Sequence, residues 1–295
     1  MENKQNNVSD LSGILLEDSP QSNMPSNKQT TGAAMSVNGN AAGYFPRLQR
    51  VFIVLPAYNE EEALPKLLTR IGETFTNLPI DYAIVVVDDG SRDQTATISE
   101  QLATQLPIRV VRHEVNQGLG ATIRDGLRTA VELADEQDII VTLDADNTHP
   151  PELIPRMLQM IQEGHDIVIA SRFQRGARVV GVPFNRVVMS LFARLLFTVV
   201  FPIKGVRDYT CGFRAYRTGV LERAFAKYGD QFVSESGFSC MVDVLLKLRN
   251  KDLLMGEVPL LLRYDHKGGV SKMKVLRTIW KSLNLILRRR MGNMT

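Results

Sequence analysis

Asp144 and Asp146 are separated by a single alanine, so in an extended segment both carboxylates point the same way. Two hard oxygen ligands on one side of a chain suit Mg²⁺ or Mn²⁺ when the cation also holds a diphosphate. Two further polar clusters, Pro56-Ala57-Tyr58-Asn59-Glu60 and Asp88-Asp89-Gly90-Ser91, each follow an apolar run directly. Taken singly, each has a plain structural meaning. Asp146 and Asn147 can shape a turn and cap the helix that begins near Pro150, and Asp88–Ser91 is a common strand–turn–helix junction. Arg172, Arg186, Arg263 and Lys272 supply cations. Guanidinium grips phosphate oxygens in pairs, and Lys adds a mobile point charge. Asp208, Glu235 and Asp243 are the acids available as a general base for a reaction that needs one. Two cysteines and four scattered histidines provide neither a disulfide framework nor a multi-cysteine zinc site, which points to a reducing compartment.

The elements that must position these residues are legible in the apolar pattern. Val51–Leu55, Tyr82–Val87, Ile108–Val111, Ile139–Leu143 and Ile167–Ala170 read as strands. Their near-continuous apolar character suits a mostly parallel sheet covered on both faces. Between them Glu61–Phe75, Gln94–Gln105, Leu119–Leu133 and Pro151–Gln162 carry helical spacing, with Pro150-Pro151 suited to a first turn. Repeated strand–helix units predict an open α/β sheet that binds ligands at the carboxyl ends of its strands. All three polar clusters fall there, and that coincidence makes three separate structural accounts a poor explanation.

Charge is uneven along the 295 residues although the net value is only +3. Residues 267–295 hold eight basic side chains and no acid, and residues 167–207 hold seven and no acid. The imbalance argues for an anionic partner. Residues 1–46, rich in Asn, Ser, Gln and Gly, read as a disordered arm without a signal-peptide pattern. No run of apolar residues is long enough to cross a membrane, and Arg194 interrupts the closest approach, Val187–Ile203. That segment has a narrow polar stripe of Arg186, Ser190, Arg194 and Thr198, and reads as an interfacial or core helix. Lys274–Arg288 reads as a basic amphipathic helix with Trp280 on its apolar face, fit for an anionic membrane surface or for packing on a domain.

The ordered series Pro56–Glu60, Asp88–Ser91, Asp144–Asp146, Pro150-Pro151-Glu152, Ser171-Arg172-Phe173 and Asp208–Arg214 resembles glycosyltransferase family 2. Within it, the chain is most similar to the dolichol- or polyprenyl-phosphate mannosyltransferases and their bacterial relatives. The resemblance covers roughly residues 50–275. It implies a nucleotide-sugar-binding fold of the glycosyltransferase A type and a metal-dependent inverting hexosyltransferase. On that basis 47–265 is the catalytic domain and 266–295 a basic amphipathic segment. Pro56, Tyr58, Glu60, Val87 and Asp89 would line the nucleoside pocket, and Asp144, Ala145 and Asp146 the metal and diphosphate site. Arg172 and Arg263, with Lys272 in the loop after it, would reach the donor phosphates, and Arg186 the acceptor phosphate. Those mannosyltransferases usually carry Gln two residues after the second Asp; here Thr148 stands there.

The implied reaction moves a mannose- or glucose-like sugar from a nucleoside diphosphate to a polyprenyl or dolichyl phosphate. It would run in the cytoplasm or peripherally at the cytoplasmic face of a membrane. Transfer to a saccharide hydroxyl, in polysaccharide or glycolipid synthesis, is the alternative. An inactive nucleotide-binding scaffold is another. A nucleic-acid-binding protein would use the basic tail but leave the three clusters idle, so no nucleic-acid partner is expected.

Overall fold

The computed structural model describes residues 49–76, 78–237 and 239–263. The N-terminal arm, Lys272 and the expected helix Lys274–Arg288 lie outside the described residues. Nine strands are found among the described residues: β1 (Val51–Ala57), β2 (Tyr82–Asp88), β3 (Ile108–Arg112), β4 (Ile139–Thr142), β5 (Ile167–Ser171), β6 (Arg178–Val180), β7 (Arg214–Arg217), β8 (Met255–Pro259) and β9 (Leu261–Arg263). The helices are α1 (Leu64–Thr76), α2 (Thr95–Leu102), α3 (Leu119–Leu133), α4 (Ile154–Gln162), α5 (Phe184–Val200), α6 (Thr218–Tyr228) and α7 (Ser239–Lys247). The five strands and four helices read from periodicity are all present, with ends shifted by a few residues. The start of α1 moves from Glu61 to Leu64 because the Glu60 carbonyl accepts the N–H groups of both Ala63 and Leu64, closing a turn first.

Seven strands form one sheet in the order β3-β2-β1-β4-β7-β5-β8. β1 pairs in parallel with β2 and β4, and β5 with β8; only β7 runs against its neighbours, β4 and β5. α1, α2 and α4 make one helical layer, and α3, α6 and α7 another. Every residue of β1 except Pro56 is buried, as are all five residues of β5. α1 buries Leu64, Leu67, Leu68, Ile71 and Phe75, the i, i+3, i+4 pattern of one apolar face. Each such side chain contributes about 1.5–3 kcal/mol relative to exposure. α3 comes close to the sheet at Gly126, where a β-carbon would lie 2.5 Å from Val54 Cγ1 and 3.0 Å from Val87 Cγ2.

The chain leaves β1 toward β2 and β3 on one side, then returns to place β4 on the other. This reversal opens a crevice at the carboxyl ends of β1 and β4. Antiparallel β7 begins at that same edge, since Arg214 pairs with Thr142 and Ile169. The segment leading into β7 therefore arrives beside the loops that follow β4 and β5.

Candidate active site

The first two loops of the crevice are tied to each other. Asn59 adopts a left-handed backbone conformation, φ 53°, which Asn tolerates better than most residues. Its N–H donates to Ser91 Oγ (2.9 Å), its Oδ1 accepts from the Arg92 N–H (2.8 Å), and the Glu60 N–H donates to Thr95 Oγ1 (2.8 Å). Tyr58 and Glu60 are half-buried on this rim, with Pro56 behind them in β1.

Two of the expected nucleoside-pocket residues face elsewhere. Val87 is fully buried and packs toward α3 at Gly126, so its side chain belongs to the core. Asp89 is 3% exposed. Its carboxylate accepts the N–H groups of Gln117 (2.8 Å) and Gly118 (2.9 Å) and lies 2.8 Å from His113 Nδ1. The opposite ring nitrogen of His113 is 3.2 Å from Asp125. Asp89 thus shapes the loop 113–118.

The segment after β4 turns sharply. Asp144 remains 37% exposed, whereas Ala145 and Asp146 are buried. The Asp144 N–H donates to His149 Nδ1 (3.2 Å), and the His149 ring packs on Phe213 at 5.4 Å. Asp146 Oδ1 accepts both the Thr148 N–H (3.2 Å) and the Thr148 hydroxyl (2.6 Å). Asn147, at φ 59°, accepts from Arg70 (2.6 Å), which also forms a two-bond pair with Glu152 at 3.0 and 2.7 Å. α1 therefore braces the acidic turn from below. Opposite, a β-carbon on Gly212 would come within 3.2 Å of Asp144 Oδ1, so glycine leaves room at that carboxylate. Asp144 at this opening, with Asp146 two residues on, supplies the hard oxygen donors that a divalent cation would take. Among the described residues no group of three or more His, Cys, Asp or Glu side chains could hold a metal without such help.

Arg263 joins the site through its backbone. β9 pairs with β6, and the Arg263 N–H donates to the Thr148 carbonyl (3.1 Å), fixing it beside the acidic turn. Arg186 lies in the first turn of α5.

Arg172 does not wait unpaired for phosphate. Its Nε and one terminal nitrogen donate to the two oxygens of Asp208 (2.8 and 2.7 Å), and that same nitrogen reaches Thr210 Oγ1 (2.5 Å). Asp208 is fully buried and also accepts the N–H groups of Arg172, Thr210 and Cys211. Burial opposes its ionisation, but the guanidinium and these N–H groups outweigh burial and hold the carboxyl below its ordinary value. The expectation of Asp208 as a general base is thereby corrected: a buried carboxylate in a bidentate pair is a poor proton acceptor. Asp243 is likewise buried, accepting from Ser234 and from Lys247 Nζ (2.6 Å), and serves as a brace within α7. Glu235 is half-buried, and its carbonyl packs against α3 at Gly120. Burial pushes the Cys211 and Cys240 thiols up to about 12, which removes both as nucleophiles or thiolate ligands at neutral pH.

Sequence reasoning missed Thr148 as a partner of Asp146, along with His149, Arg70 and Glu257. Glu257 accepts the N–H groups of Arg207 (2.6 Å) and Asp208 (2.7 Å) from β8. Only Thr148 had a signal, its hydroxyl two residues after an Asp.

Residues 52–225 fit the model for Glycosyl transferase family 2. The chain belongs to this family. It is 33% identical over 240 residues to a dolichol-phosphate mannosyltransferase of Pyrococcus furiosus, spanning 81% of this chain and 63% of that protein's length. It is 34% identical over 227 residues to a polyprenol monophosphomannose synthase of Mycolicibacterium smegmatis, spanning 76% and 81%. A solved structure of glucosyl-3-phosphoglycerate synthase from Mycobacterium tuberculosis, in complex with Mn²⁺, UDP and glucosyl-3-phosphoglycerate, superposes with a TM-score of 0.56. It is 21% identical and covers 84% of this chain and 81% of that one, a likeness of fold.

Proposed function

We propose that this family 2 member is a metal-dependent inverting hexosyltransferase that moves a sugar from a nucleoside diphosphate to a polyprenyl phosphate. The observation that carries the reading is the acidic turn Asp144–Asp146, braced by Thr148 and Arg70 at the carboxyl edge of β4, with Arg263 tied to it through Thr148. The names of the two curated relatives favour a polyprenyl or dolichyl phosphate acceptor and a mannose donor. Mn²⁺ in the structural neighbour favours a divalent cation, with Mg²⁺ equally suited to two carboxylates.

Asp144 and Asp146 would hold the cation, which when bound supplies positive charge against the leaving diphosphate. Tyr58, Glu60 and the loop shaped by Asp89 would receive the nucleoside. An oxygen of the acceptor phosphate forms a bond to the anomeric carbon from one side. The bond from that carbon to the diphosphate oxygen breaks on the other, and the electron pair departs with the nucleoside diphosphate. Arg263 and Arg172, with Lys272 further along the sequence, would neutralise that group, and Arg186 would serve the acceptor phosphate. A phosphate monoester is already ionised at neutral pH, so no strong base is needed. The structural employment of Asp208 and Asp243 agrees with this.

Val188, Leu191, Phe192, Leu195 and Val199 of α5 are exposed, as are Val179, Val180 and Leu261 of the small sheet. Such a patch beside the site suits a lipid acceptor and peripheral attachment to the cytoplasmic face of an anionic membrane. No described helix is long and apolar enough to cross a membrane.

The test is product analysis of the full chain with GDP-mannose, GDP-glucose, UDP-glucose and UDP-galactose, with Mg²⁺ or Mn²⁺ and either farnesyl phosphate or a saccharide acceptor. Glycosyl farnesyl phosphate should form, and Asp144→Asn or Asp146→Asn should nearly abolish it while leaving the melting temperature close to wild type. Transfer to the saccharide alone, or full activity of both variants in limiting metal, would refute the proposal.

A further inference from the structure

The loop 113–118 after β3 is anchored at both ends to the 88–91 cluster. The His113 N–H donates to the Asp88 carbonyl (2.9 Å), and the Gln117 and Gly118 N–H groups donate to the Asp89 carboxylate. Between these anchors the chain runs directly over Gly90, where a β-carbon would lie 2.7 Å from the Val115 carbonyl carbon and 2.8 Å from the Asn116 nitrogen. Asp89 in turn donates its own N–H to the Ala57 carbonyl (2.9 Å), so the loops after β1, β2 and β3 form one assembly. Gly118 is also the residue that opens α3.

One side chain completes this assembly. His113 is buried, with Nδ1 2.8 Å from Asp89 Oδ1 and Nε2 3.2 Å from Asp125 Oδ2 on α3. Nε2 is buried and makes no hydrogen bond of good geometry, so its contact with Asp125 is one of charge. An ionised carboxylate only accepts, so a ring set between two of them needs a proton on both nitrogens. In the neutral ring one lone pair would face a carboxylate, and the low polarity of the interior magnifies that repulsion. The other charges nearby have their own places. Arg124 grips both oxygens of Asp125 (2.8 and 3.1 Å), Arg112 lies 3.8 Å from Asp88, Asp230 pairs with Arg128 of α3, and Glu114 is exposed. Among the described residues no Lys or Arg lies within ion-pair distance of Asp89.

We propose that His113 is a positioning residue for the donor nucleoside: as an imidazolium it ties Asp89 to Asp125 and holds the loop 113–118 and the start of α3 on the 88–91 cluster. On losing its proton the ring repels one of the two carboxylates, and the loop is released. Donor affinity is therefore high where the ring is protonated and falls as pH rises through its titration. Asp144 and Asp146 follow β4, which β1 separates from β2, so the metal and diphosphate end lies outside this network. The inference rests on the reading above that this loop receives the nucleoside, and adds the residue that sets it.

The experiment measures binding of GDP, UDP and inorganic pyrophosphate to the full chain by titration calorimetry with Mn²⁺ present. It covers the histidine range, from about pH 5.5 to about 8.5, for wild type, His113→Asn and Asp125→Asn. At the acid end His113→Asn should bind the preferred nucleoside diphosphate about ten-fold more weakly than wild type, and pyrophosphate equally well. Wild type should lose the same factor as pH rises. The His113→Asn profile carries only the ionisation of ligand and metal, so the difference between the two profiles belongs to His113. Asp125→Asn should keep the acid-end affinity and lose less at high pH, because its amide can donate to the neutral ring. A merely structural role would lower the melting temperature without this difference in pH profile. Superimposable profiles in folded variants and wild type would overturn the proposal and leave the transfer reading standing, as would an equal loss for pyrophosphate. If His113→Asn does not fold, the other two profiles decide, and no difference between them overturns the proposal. Should wild type bind neither GDP nor UDP at any pH, the transfer reading falls with it.

Discussion

Replacing Arg172 by Ala isolates the pair that the structure puts at the end of β5. The variant leaves Asp208 fully buried, facing the space of a lost guanidinium. Removing one partner of a buried ion pair costs about 3–5 kcal/mol. Two features reduce that figure here. Asp208 keeps the N–H groups of residue 172, Thr210 and Cys211, and Arg172 itself is 22% exposed, so water can reach part of the vacated space. A loss of about 2–3 kcal/mol is expected on that basis. Urea denaturation at pH 7 measures it, and Arg172→Ala/Asp208→Asn should recover part of the loss because the buried charge goes too. The pH dependence has a definite sign. The folded carboxyl of Asp208 lies below its unfolded value of about 3.9. Its stabilising contribution is therefore complete above that value and disappears as pH falls through the folded pKa. A wild-type chain should lose this increment only in acid, and Arg172→Ala should show a flatter acid limb. A variant as stable as wild type at pH 7 would refute the account of Arg172 as a structural partner of Asp208.

Two further perturbations address the acidic turn and the sheet beneath it. Thr148→Val removes the 2.6 Å hydroxyl bond to Asp146; Mn²⁺ affinity, read by calorimetry with nucleoside diphosphate present, should fall about ten- to a hundred-fold, with Thr148→Ser close to wild type. Gly126→Ala gains about 1 kcal/mol in helix propensity but drives a β-carbon to 2.5 Å from Val54 Cγ1. Overpacking against a stiff β-branched side chain costs about 1–3 kcal/mol, so chemical denaturation should show a net loss, and a more stable variant would refute the close approach of α3.

Apolar patterning was enough to find β1 to β5 and the three polar clusters that follow β1, β2 and β4, but not β8, which pairs in parallel with β5. β1, β2, β4 and β5 are nearly all apolar because both faces are covered, a local signal, whereas β3, at the sheet edge, carries Arg109 and Arg112 exposed. The polar clusters sit in loops, where backbone groups outside the sheet must find partners among side chains, water or a ligand. β7 escaped this logic. Arg214 and Arg217 bracket only Ala215 and Tyr216 in the strand, and Arg214 is fully buried only because its guanidinium donates to the Tyr209 and Met241 carbonyls (both 2.8 Å), 5 and 27 residues away. No periodicity announces such a strand. The partners of the charged residues were equally hidden. Arg172 and Asp208 are 36 positions apart and Arg70 and Asn147 are 77, so which cation meets phosphate and which meets a buried carboxylate was decided by chain crossings. Residue type gave the chemistry that each group is capable of. Tertiary structure decided its use, because burial and a fixed partner change what a carboxylate or a guanidinium can do.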